Sequence, residues 1–170
     1  MAAHVPIERG SVVLELGPGT CVVTRCLLER GVEESDLACL EYAPEFCALL
    51  RALHPRAHIV QGDAYRPDVA LRRWIGDRPL AAVVSSLPLM ARPELERACV
   101  IADYLDLLPP GAPFIQFTYS PSLPVKPERI GASAFATHWI KRNLPPARVL
   151  IYRRGGSGLN ATQTCPISSI

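Results

Sequence analysis

At 170 residues, 49% of them apolar and with a formal net charge of +2, the chain can bury one substantial core and carries too little charge to imply nucleic acid by itself. No apolar run approaches the ~20 residues that span a bilayer, and no signal-peptide segment opens the chain, so a cytoplasmic location is expected. The six cysteines show no CxxC spacing, and no metal site is expected.

Strand-like and helix-like stretches alternate along the chain. Residues 11–16 (SVVLEL) predict a strand, followed by Gly17-Pro18-Gly19 and a helix over 20–30 that Gly31 is placed to stop. Residues 37–42 (LACLEY) predict the second strand, and 44–53 a helix with proline in its first turn. A third strand at 57–61, a short helix at 68–75 and a fourth strand at 80–86 come next. A longer helix at 93–108 and a fifth strand at 113–118 complete this alternation. Continuous apolar strands separated by helices predict an α/β fold, a mostly parallel sheet covered on both faces.

The last third changes character. A Pro-rich connection at 119–127 precedes a helix or loop near 128–134. Residues 135–142 and 147–153 flank Asn143-Leu144-Pro145-Pro146 and predict an antiparallel pair at the sheet edge, bringing the sheet to seven strands. Residues 1–154 form the expected domain, and the Gly/Ser/Thr-rich stretch 155–170 a flexible tail.

In an open parallel sheet, ligands bind beyond the carboxyl ends of the strands. The suggestive polar residues fall at such ends. After the first strand come Glu15, Leu16, Gly17, Pro18, Gly19 and Thr20, where glycines let a ligand approach the backbone ahead of a helix with free N–H groups. After the second come Glu41 and Tyr42, the carboxylate suited to both hydroxyls of a ribose. After the third come Gly62, Asp63 and Ala64, with an acceptor for an adenine amino group. Ser85, Ser86, Leu87 and Pro88 follow the fourth, where a substrate would face the cofactor. A dinucleotide fingerprint needs glycine where the chain has Val22, and there is no phosphate-binding Gly-Lys-Ser/Thr. An acidic Glu15 two residues before the first glycine suits a cation-bearing cofactor, S-adenosylmethionine (SAM).

The stretches VVLELGPGTCVVTRCLLERG, CLEYAPEF, IVQGDAYRPD, AVVSSLPL, PFIQFTYSP and WIKRNLPPARVLIYRR together resemble bacterial phospholipid N-methyltransferases. These are class I, Rossmann-like SAM enzymes that methylate phosphatidylethanolamine, related to ribosomal RNA adenine dimethyltransferases. The resemblance implies SAM as cofactor and a phospholipid amine as acceptor. It puts Ser86, Leu87, Pro88 and Tyr119 on the catalytic side, with Phe117 and Trp139 as further candidates for a headgroup pocket. The chain departs from the family at Cys21, where a third glycine is the pattern, and in having only about ten residues before the first strand. Those departures leave a truncated or degenerate SAM-binding protein without catalysis as one alternative; an RNA or small-molecule methyltransferase is another. From residue 120 to 155, seven basic residues face one acid, Glu128. This patch suits an anionic membrane at the inner leaflet, and RNA phosphates equally.

Overall fold

The computed structural model describes residues 1–66, 69–141 and 145–155. Asp68, where the third helix is expected to begin, Asn143 and Leu144 of the Asn-Leu-Pro-Pro stretch, and residues 156–170 of the tail lie outside the described residues.

Strands β1 (Val12–Leu16), β2 (Leu37–Glu41), β3 (His58–Gln61), β4 (Leu80–Ser85), β5 (Phe114–Thr118), β6 (Ser133–Ala136) and β7 (Arg148–Arg153) form one sheet in the order β3-β2-β1-β4-β5-β7-β6. β1 to β5 pair in parallel, whereas β7 runs antiparallel to both β5 and β6. The helices are α1 (Val22–Glu29), α2 (Pro44–Leu53), α3 (Val69–Ile75) and α4 (Glu94–Leu107).

Side chains alternate across a strand, so one sequence run feeds two apolar layers. Leu14, Leu16, Leu40, Phe114 and Leu150 face one layer, which Leu71 of α3 and Ile101 and Tyr104 of α4 close. Val13, Cys39, Val84, Ile115 and Val149 face the other, closed by Leu27 of α1 and Leu50 of α2. β1, β2 and β4 are buried along their whole length, which is why their sequences lack an apolar–polar alternation. Tyr152 of β7 is fully buried, edge-on to Phe114 at 6.5 Å, and its hydroxyl donates to Val125 O at 3.1 Å. The seven-stranded, mostly parallel sheet with helices on both faces and an antiparallel C-terminal hairpin matches the expected fold class.

The C-terminal region differs from expectation in detail. Residues Pro127–Ile130 make a single 3-10 turn, ended by Gly131 at φ 59°, and β6 begins at once at Ser133. The inward positions of β6 are the small Ala134 and Ala136, a weak apolar signal that hides the strand. Beyond Ala136 regular pairing stops, and an isolated bridge, Ile140 to Ala147, continues the hairpin.

Candidate functional site

The ladders extend past the strand ends into the loops. Gly17 N–H donates to Leu40 O at 3.0 Å, Gly62 N–H to Glu41 O at 2.9 Å, and Ser86 N–H to Leu16 O at 3.0 Å. The loops after β1, β3 and β4 are thereby held by the strand beside each. An open cavity of about 440 Å³ lies between them at the carboxyl end of the sheet. Its lining includes Gly17, Gly19, Glu41, Tyr42, Asp63, Ala64, Ser86, Leu87 and Pro88, all singled out in the sequence. Phe46, Tyr65 and Arg92 also line it.

Glu41 ends β2 at 7% exposure. Its Oε2 accepts the Gly19 N–H and its Oε1 the Ala43 N–H, each at 3.0 Å. A carboxylate oxygen has capacity for more than one donor, so both remain able to accept from hydroxyls in the cavity. Asp63 is exposed, and its Oδ1 accepts the Tyr65 N–H at 2.9 Å, turning the loop after β3. The Tyr104 hydroxyl, from α4, donates to Ala64 O at 2.9 Å and holds the same loop from beneath.

The loop after β4 is pinned from β5. Buried Gln116 donates from Nε2 to Leu87 O at 2.9 Å and to Phe117 O at 2.6 Å. Ser85 Oγ accepts the Leu87 N–H at 3.3 Å. Gln116 was not picked out from sequence because its contact is across strands, with no local spacing to reveal it. Arg92 likewise follows no strand periodicity. It brings a positive charge to the cavity wall, its guanidinium 4.5 Å from the Tyr65 ring centroid and 3.8 Å from Glu96.

The other candidates lie outside the lining. Leu16, Pro18 and Ser85 are buried, Gly62 is half-buried and Thr20 is exposed. Glu15 falls on the α1 face of β1 by strand alternation and is fully buried. Its Oε2 accepts the Thr24 hydroxyl at 2.8 Å, while Oε1 has no partner. Burial, with Thr24 offsetting only part of it, pushes its carboxyl up to about 7. Tyr119 is exposed just past β5, edge-on to Phe117 at 4.7 Å. Trp139 stands on the hairpin with the Arg148 guanidinium over its ring.

Cys21 is the one non-glycine residue with positive φ (65°) among the described residues, in the left-handed region that favours glycine. Its buried side chain packs into the apolar layer beneath α1, and it does not line the cavity. The departure from a third glycine therefore costs backbone strain without narrowing the site.

The lining fits a nucleoside-bearing cofactor. A Cβ at Gly17 would stand 3.3 Å from Leu87 Cδ2, on a backbone at φ 64°, so glycine keeps this wall close to the loop after β4. Carboxylates of Glu41 and Asp63 offer acceptors for hydroxyl and amino donors. The fold is the Rossmann-like fold of class I methyltransferases.

No family model matches the chain. An ornithine lipid N-methyltransferase of Singulisphaera acidiphila is 29% identical over 147 residues, 85% of this chain and 76% of that protein. Ribosomal RNA small subunit methyltransferase A of a Synechococcus strain is 44% identical over 66 residues, 35% of this chain and 22% of that protein. A TehB-like SAM-dependent methyltransferase of Corynebacterium glutamicum shares the fold at a TM-score of 0.62 and 15% identity, over 87% of this chain and 82% of that one. Several other solved methyltransferases are longer, and the chain spans about half their length. Among the described residues, no helix is long and apolar enough to cross a membrane.

Proposed function

We propose that the protein transfers methyl groups from SAM to the amine of a membrane lipid, phosphatidylethanolamine or a related aminolipid. The observation that carries the methyl-transfer reading is the cavity itself, with glycine loop, ribose-type carboxylate and adenine-side carboxylate at successive strand ends. The likeness to an ornithine lipid N-methyltransferase across most of both chains supports a lipid amine as acceptor. SAM supplies an electrophilic methyl group when bound.

Glu41 accepts from the ribose hydroxyls, and Asp63 from the adenine amino group. Glu15 acts from below, holding the start of α1 through Thr24. Ser86, Leu87 and Pro88 form the wall facing the acceptor, held in place by Gln116. Phe117 and Tyr119 present aromatic faces to a methylated ammonium, an attraction of roughly 0.5–2 kcal/mol each. The test is transfer of label from methyl-labelled SAM to vesicles containing phosphatidylethanolamine or ornithine lipid. Label in the lipid is the expected result; label in ribosomal RNA alone would favour the RNA reading that the shorter match suggests.

A further inference from the structure

Resting on the lipid-amine reading, we propose that Trp139, Ile140 and Lys141, with Arg148, form a docking surface for an anionic bilayer. The topology puts this surface at the correct end of the sheet. β7 is antiparallel to β5, with Thr118 opposite Arg148, so the β6–β7 connection emerges at the carboxyl ends, where the cavity opens. The hairpin is held beyond its strands: Thr137 N–H donates to Val149 O at 2.9 Å, Val149 N–H to Thr137 Oγ1 at 3.0 Å, and Ile140 N–H to Ala147 O at 2.7 Å.

On this built support the apolar groups face solvent. Trp139 is 38% and Ile140 47% exposed, with Lys141 exposed beside them. Arg148 lies over the Trp139 ring at 5.1 Å and donates to Pro121 O, tying the loop that exposes Tyr119 and Leu123 to the same rim. Scattered exposed apolar residues need no explanation, but an aromatic and aliphatic group set among cations matches the membrane interface. RNA would use the cations and the ring and leave the exposed aliphatics without a role. Arg129 and Arg154 are engaged elsewhere, by Glu94 and Asp106, whereas Lys141 and Arg148 make no carboxylate pair among the described residues. That charge selects an anionic lipid surface.

The chain has two tryptophans, and Trp74 is stacked on His58 at 4.3 Å, so Trp74→Phe leaves Trp139 as the reporter. Phosphatidylglycerol vesicles, offered without SAM and without any amine lipid, should move its emission to shorter wavelength, and brominated acyl chains should quench it. Phosphatidylcholine vesicles should bind roughly tenfold more weakly, and added salt should release the protein. In the otherwise native chain, Trp139→Ser with Ile140→Ser should cut co-sedimentation with these vesicles by roughly tenfold. Circular dichroism checks that this surface variant is folded. Unchanged emission on vesicles, native sedimentation of the double variant, or a response to a short RNA in place of vesicles would overturn the proposal. Because no methyl transfer is read, failure here leaves the lipid-amine reading standing, and failure to methylate detergent-dispersed lipid leaves the docking result intact.

Discussion

Glu41 Oε2 accepts the backbone N–H of Gly19 at 3.0 Å, joining the end of β2 to the glycine loop 22 residues earlier in the chain. One side chain thus shapes the loop and faces the cavity. Glu41→Ala should weaken binding of S-adenosylhomocysteine by about 1–3 kcal/mol, roughly fivefold to 150-fold, measured by calorimetric titration. Glu41→Gln keeps one acceptor and should lose less. Native affinity in the alanine variant would assign Glu41 to loop structure alone.

Glu15 gives the protein a pH dependence of opposite sign to that of a paired carboxylate. Its folded-state value of about 7 lies above the ordinary 4.5, so the folded state holds the proton more tightly than the unfolded one. The stability this contributes is complete below about pH 4.5 and is lost as pH rises towards and through 7. The shift corresponds to about 3 kcal/mol. Urea unfolding between pH 5 and 8 should therefore show a fall in the native chain that is much flatter in Glu15→Gln.

At Cys21 the usual preference for alanine over glycine should reverse. Alanine keeps the left-handed strain and loses the buried thiol, whereas glycine removes strain of about 1–2 kcal/mol. Cys21→Gly should be more stable than Cys21→Ala by about 1 kcal/mol in urea titration. Both should bind S-adenosylhomocysteine as the native chain does, because the side chain lies outside the cavity. A large affinity change in either would show that the residue sets the shape of the glycine loop.

Gln116→Leu removes the donor to Leu87 O in a place water does not reach. Leu87 O keeps the Leu89 N–H at 2.8 Å, so loss of its second donor should cost about 1 kcal/mol, which urea titration should detect. Leu87 lines the cavity, so cofactor affinity should fall in the same variant. Loss of stability with unchanged affinity would confine Gln116 to a role in the core.

The strand ends were legible because period and punctuation coincide there: apolar runs stop at Gly17, Glu41, Gly62 and Ser85, and each stop is a loop at the carboxyl end of the sheet. Whether a residue near such an end reaches the cavity or stays in the core depends on how far along its strand it lies. Glu15 and Glu41 share a sheet face, because Glu15 pairs with Cys39. Glu15 stops short of the end and lies beneath α1, whereas Glu41, two positions further along, lines the cavity. Gln116, Tyr65 and Arg92 were illegible for another reason, since their contacts join segments far apart in the chain. The edge hairpin was found but misplaced at its start, because small inward alanines give almost no apolar pattern.

The insertion of β7 between β5 and β6 has a consequence for synthesis on the ribosome. β1 to β4 include three adjacent pairs, so the glycine-loop half of the sheet can zip up nearly in the order in which it emerges. β6 has no such prospect: its partner is the strand made after it, and Tyr152, a central side chain of the core, arrives with that strand. The half of the molecule next to the proposed lipid-facing rim is therefore completed last, by a strand that must thread between two already delivered ones.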